Sequence, residues 1–177
     1  MYYETSVWIA ASAAKVWAVL RDVERWPEWT PTVSQVLRVE SAPEYVPGAD
    51  GPAGELAKGD VVSIKQPKLP TLSWTIVDWN PAHSFSWASS SGGVRTVADH
   101  RIEEAKAAGD AGDAKDAPTP RIGLADPTGA PGDGVTVTLS IRQSGPLAPL
   151  VGLLTGRQTR RYVDTEAQSL KRRCEQT

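Results

Sequence analysis

"RDVERWPEWTP", residues 21–31, is the stretch whose reading decides the fold. Just upstream, Val16, Trp17, Leu20 and Val23 recur at helical spacing behind Ser12, a residue suited to capping a helix start. Pro27 lacks the amide hydrogen a helix interior needs and pushes Trp26 out of the helical region. The helix is expected to end there. Trp26 then anchors a corner in the core, and Trp29 swings to a different side from Trp17.

Outward from this corner the pattern changes from helical to strand-like. Tyr2 to Ile9, before the helix, is short and rich in β-branched and aromatic residues. After it, strands are predicted over Val33–Glu40, Val61–Gln66, Leu72–Trp79, Ser84–Ala88, Val94–Glu104 and Val135–Gln143. The last alternates Val135, Val137, Leu139 and Ile141 with Thr136, Thr138, Ser140 and Arg142. Residues 41–58 are dense in Pro, Gly and Ala and read as a loop. Residues 106–133, mostly Ala, Gly, Asp and Pro, form an insertion between the last two strands that is expected to be mobile. Leu147 to Glu175 is helical in period, but its apolar phase jumps near Gly152 and Gly156. A short segment, a kink or break near Gly156 and a long amphipathic helix are expected.

Consecutive strands with short connections imply an antiparallel sheet, and the C-terminal helix is the only element long enough to cover one face of it. The predicted class is α+β, a single domain over 1–177 with about seven curved strands wrapped around that helix and two short helices after the first strand.

The totals agree with a soluble globular protein: 177 residues, 40% hydrophobic, 23% charged and a net charge of −2. Nothing global points to nucleic acid. No apolar run approaches the roughly 18 residues of a membrane helix, so no stable membrane insertion is expected. The N-terminus has no basic start followed by an apolar stretch, and the lone Cys174 has no partner for a disulfide, so a cytoplasmic location is expected. Seven tryptophans stand against one phenylalanine, and all seven lie in the first half of the chain. They imply either large core residues only or a wide interior that stacks flat apolar ligands.

"ASAAKVWAVLRDVERWPEWTPTVSQVLRV" (11–39) resembles the N-terminal signature of the START-like superfamily, which includes polyketide cyclase/dehydratases and lipid-transfer domains. The signature residues here are Val16, Trp17, Asp22, Trp26, Pro27 and Trp29. "HRIEE" (100–104) and the C-terminal stretch 144–175 also look like members of that family. The insertion at 106–133 departs from its usual tight turn. The resemblance implies a helix-grip fold with a deep, mostly apolar cavity between sheet and C-terminal helix, entered near the two short helices. Trp29 is expected at or near that entrance.

A cavity of this kind acquires chemistry through a few inward polar groups. On the strand at 94–104, Val94, Ala98, His100 and Ile102 share one face; Arg95, Asp99, Arg101 and Glu103 share the other, which must be wet. An inward His100 is either an acid–base group or a core histidine held by a hydrogen bond. On the last helix Thr159, Tyr162 and Glu166 border the apolar stripe. Glu166 and Tyr162 are either pocket acid–base groups or a solvated carboxylate and a packed ring. Asp78 shares a strand face with Trp74 and Ile76 but lies beside the Asn80–Pro81 turn, so it is either an inward carboxylate or simply exposed there, and His83 sits in that turn as a cap. The expected ligand-binding set is Trp29, Trp74, Ile76, Trp87, Ala98, His100, Thr159, Tyr162, Val163 and Glu166, with His100, Glu166 and Tyr162 the catalytic candidates. No Gly-x-Ser-x-Gly elbow or phosphate loop is present. Asp110, Asp113 and Asp116 do not match the calcium-loop pattern, and one cysteine with two histidines gives no zinc site, so neither metal nor cofactor is expected. Arg157, Arg160, Arg161, Lys171, Arg172 and Arg173, diluted by Asp164, Glu166 and Glu175, read as a solvated face.

Three functions follow. The first is binding, for sequestration or transport, of a small hydrophobic, lipid-like or aromatic ligand. The second is a cyclase/dehydratase-like enzyme. The third is an interaction protein such as a quinone-binding chaperone or a ribosome-associated relative.

Overall fold

The computed structural model describes residues 1–40, 56–104 and 134–176. The predictions for 41–55 and 106–133 lie outside them. Strand β1 (Tyr2–Ile9) leads into α1 (Ala13–Arg21), a 3-10 turn (Val23–Glu28), and strands β2 (Gln35–Glu40), β3 (Val61–Lys65), β4 (Leu72–Asn80), β5 (Ser84–Ser91), β6 (Val94–Glu104) and β7 (Val135–Ser144). Helix α2 (Ala148–Glu175) closes the chain. The strands form one antiparallel sheet in the order β1-β7-β6-β5-β4-β3-β2. The predicted α+β class with a long closing helix is what the chain forms.

The corner at 21–31 differs in detail from its prediction. Ser12 caps α1, its hydroxyl accepting from the Lys15 amide at 3.3 Å. The α-helix stops at Asp22, five residues before Pro27, and the proline sits inside the 3-10 turn. Asp22 leaves helical geometry at φ −85°, ψ 66°, so the chain is already redirected when it reaches the proline. Trp26 is fully buried, and its indole N–H donates to the Leu20 carbonyl at 3.0 Å, tying the turn to the helix before it.

The sheet's inner face is built by alternation, with Val135, Val137 and Leu139 of β7 buried beside Val7 and Ile9 of β1. Between Ile76 and Asp78 the pairing of β4 with β5 shifts register. This bulge reverses the parity: Asp78 turns to solvent and Trp79 turns inward, its ring 5.1 Å from Trp17 and 5.5 Å from Phe85. The expectation that Asp78 shares the inner face of Trp74 and Ile76 is therefore corrected.

Helix α2 is also corrected. It runs through Gly152 and Gly156 without a break. At these positions the missing side chains leave room for Met1, whose Sδ lies 3.4 Å from where a Gly156 Cβ would sit. Met1 is fixed there by its ammonium, which donates to the Gln143 carbonyl at 3.0 Å. The phase jump seen in the sequence is real but has another cause. Ala167, Leu170 and Cys174 are buried on the core side, whereas Leu147, Leu150, Leu153 and Leu154 are exposed. The turn between β7 and α2 needs Gly145: its φ is 114°, and a Cβ there would collide with the Gly93 carbonyl oxygen.

Candidate functional site: a cavity between sheet and helix

A cavity of about 360 Å³ lies between the inner face of the sheet and α2. Its apolar wall includes Trp26, Trp74, Trp87, Leu139, Ile141 and Val163. The register explains the clustering, because Phe85 pairs with His100 and His100 with Leu139, while Trp87 pairs with Ala98 and Ala98 with Ile141. Each row places side chains of three neighbouring strands side by side under the helix.

His100 is the polar centre. Its ring stacks on Phe85 with centroids 4.3 Å apart and planes 8° apart. The rings of Trp26 and Trp87 stand steeply to it in T-shaped contacts, with centroids 5.4 Å away in each case. Held this way, the imidazole has one outlet: Nε2 lies 3.2 Å from Oε1 of Glu166 on α2, the two side chains being 4% and 15% exposed. With Glu166 ionised, Nε2–H donates and Glu166 accepts. Among the described residues, buried Nδ1 has no hydrogen-bond partner, and neither has buried Oε1 of Gln143. Such groups are costly in a core and common at sites built for chemistry or binding.

Tyr162 lines the cavity without joining this pair. Its hydroxyl donates to the Pro67 carbonyl and accepts from Gln158 Nε2 at 3.3 Å. It straps α2 to the β3–β4 turn, where Lys68 takes a positive φ of 61°. The other histidine, His83, is exposed in the β4–β5 turn, its amide donating to the Asn80 carbonyl at 3.1 Å. Cys174 is buried at the far end of α2, and burial pushes its thiol up to about 11, so it stays protonated and is no nucleophile.

Of the expected site residues, Trp74, Trp87, Ala98, His100, Thr159, Tyr162, Val163 and Glu166 line this cavity. Trp29 and Ile76 stand outside its wall. Ile76 is packed in the core, and Trp29 is half-buried with its ring 5.3 Å from that of the cavity residue Trp26. Trp26, expected only in the core, is both core and wall. Gln143 was missed although the β7 alternation through Ile141 carries straight on to it. Val151, Thr155 and Gln158 were missed although they share the helical phase of Tyr162 and Glu166. No sequence signal marks Leu69 and Pro70, which reach the cavity from a turn.

A curved antiparallel sheet closed on one long helix, with an aromatic-walled cavity between them, defines the helix-grip class. From residue 3 to 175 the sequence matches the family described as polyketide cyclase / dehydrase and lipid transport, and the chain belongs to that family. Among solved structures it is similar to a START superfamily protein from Mycobacterium smegmatis, at 14% identity and a TM-score of 0.58 over 98% of this chain and 97% of that one. It is similar also to the di-domain ARO/CYC protein BexL of the BE-7585A biosynthetic pathway, at 14% identity and TM-score 0.57 over 100% of this chain and 50% of that one. Norcoclaurine synthase from Thalictrum flavum, solved with dopamine and hydroxybenzaldehyde, gives 14% identity and TM-score 0.55 over 97% and 84% of the two chains. At these identities the likeness is one of fold. No curated protein matches the sequence.

Proposed function

We propose that this protein binds a small, largely apolar, ring-bearing ligand that carries at least one hydrogen-bond donor, for sequestration or transport. The supporting observation is the cavity itself: three tryptophans in its wall around one buried His100–Glu166 pair. Apolar walls with a few convergent polar groups are what small-molecule sites require. About 360 Å³ equals the volume of about a dozen water molecules. That suits a compact molecule of two or three rings rather than a whole diacyl lipid. Glu166 Oε2 has no partner among the described residues and is the natural acceptor for a ligand hydroxyl.

A second reading rests on the same pair. A carboxylate that holds a histidine in one orientation is the arrangement of an oriented base, and it favours a cyclase/dehydratase-like enzyme in which the pair moves a proton. Among the described residues no third side chain joins the pair, the Tyr162 hydroxyl being engaged elsewhere, so binding is the primary reading.

Native mass spectrometry of gently purified protein is expected to show a bound small molecule. Titration with phenolic two-ring compounds is expected to quench tryptophan fluorescence, because Trp26, Trp74 and Trp87 line the site. A protein that is empty and unquenched by such compounds overturns the reading. Glu166→Gln separates the two functions: a binder loses about tenfold in affinity with no chemistry to lose, whereas an enzyme keeps its affinity and loses turnover of the co-purified compound.

A further inference from the structure

The first half of α2 has two faces with different business. Val151, Thr155, Gln158 and Tyr162 face the cavity. On a neighbouring face, rotated by roughly 115° at about 100° per residue, Leu150, Leu153 and Leu154 are 55%, 83% and 74% exposed, and Leu147, just before the helix, is 48% exposed. Leucines so exposed and so close together form a patch that needs a partner. At about 100° per residue, Leu150, Leu153, Leu154, Arg157 and Arg161 fall within an arc of about 100°. Along the axis Arg157 lies about 5 Å beyond Leu154, and Arg161 about 10 Å beyond it.

The charge along this face is one-sided. From Leu147 to Val163 the chain carries Arg157, Arg160 and Arg161 and no Asp or Glu. Arg160 lies over the Tyr3 ring at 5.6 Å. Neither Arg157 nor Arg161 makes an ion pair with a described residue. The acids that dilute the helix, Asp164, Glu166 and Glu175, all come later, and Glu166 faces the cavity. Averaged over the whole helix the charges read as a solvated face; taken turn by turn they separate into an apolar tip and a basic collar.

We propose that this half of α2 is a peripheral docking surface for a bilayer carrying anionic headgroups. Leucines at the tip enter the boundary between headgroups and acyl chains, and the arginines one and two turns behind meet the phosphates. The contact is reversible and shallow: among the described residues no helix is long and apolar enough to cross a membrane. Because Val151 and Thr155 belong to the same turns, docking brings the cavity wall to the lipid surface. The surface nonetheless stands independently of what the cavity holds.

Flotation with vesicles of phosphatidylcholine alone and of phosphatidylcholine with phosphatidylglycerol tests this. Binding to the anionic vesicles only, weakening with added salt, is expected. Leu153→Ser/Leu154→Ser should reduce it by more than about tenfold, and each of Arg157→Gln and Arg161→Gln by about fivefold. These side chains point to solvent, so near-ultraviolet circular dichroism should be unchanged. A nitrobenzoxadiazole dye at Leu154→Cys should shift to the blue on the anionic vesicles. Absence of flotation with anionic vesicles overturns the proposal, as does equal flotation of the double serine variant. So does a wild-type dimer in sedimentation equilibrium that fails to float and that the serine variant dissolves, since the patch is then covered by a second copy of the chain.

Discussion

Trp26 shows how one side chain serves both fold and site. Its ring contacts Trp29, Phe85, Trp87 and His100, and its N–H is held by the Leu20 carbonyl. The side chain is therefore a hinge pin for the corner and a wall for the imidazole at once. Trp26→Phe leaves a void where the second ring stood and strips the Leu20 carbonyl of a donor. A loss of about 2–3 kcal/mol is expected from those two effects together, measured by urea denaturation followed by far-ultraviolet circular dichroism. A loss below about 1 kcal/mol would mean that the indole hydrogen bond and the packing are not what fix this corner. His100 was legible as an inward residue from strand parity alone. Its pairing with Glu166 was not, because the two residues are 66 positions apart and no local pattern relates them.

At the scale of elements, the strands were legible where alternation was unbroken, as in β6 and β7. They were misread where a bulge reversed the alternation, as at Asp78 in β4, and the outer face of β6 was misread at Asp99, which is not wet but part-buried, accepts from Ser86 and Ser140 and reaches the cavity. Helix α2 gives the converse case. Its two glycines carried a true signal, a need for close approach, which resembles the signal of a break. The difference lies in Met1, a contact between opposite ends of the chain. The continuous helix makes a prediction that a broken one does not. At Gly156 an added Cβ meets only the flexible end of Met1, at 3.4 Å. Gly156→Ala is therefore expected to stabilise by about 0.5–1 kcal/mol through helix propensity and to raise the thermal midpoint by about 1–4 °C. A fall in the midpoint, read by scanning calorimetry, would show that the position needs glycine for its backbone conformation.

At the scale of the molecule, the class was legible because one constraint governs it: a curved sheet with one apolar face has only α2 to bury that face against. The cavity wall was legible in outline, since strand parity and helix phase both point inward, but Leu69 and Pro70 enter from a turn that has no period to read. The C-terminal end of α2 is locked to the β1–α1 region by carboxylates, and this lock has a pH signature. Partial burial pushes the Glu175 carboxyl up, but the Ala10 amide at 2.9 Å and the Lys171 ammonium at 2.7 Å more than cancel it, so it lies below its ordinary value of 4.5. Glu28, bonded by Arg25 and 3.5 Å from Arg173 of α2, lies below its ordinary value for the same kind of reason. A carboxylate depressed in the folded state binds its proton more readily when unfolded. Its stabilisation is present above the ordinary value and disappears as pH falls through the folded value. Both groups are largely exposed, so solvent screens the effect and its size is modest. The thermal midpoint of the wild type should thus fall on acidification below about pH 4.5. Glu175→Gln should lower the midpoint at neutral pH, and its curve should converge on that of the wild type as pH approaches about 3. Two curves that stay parallel through the acid limb would place the lock in the shape of the side chain rather than in its charge.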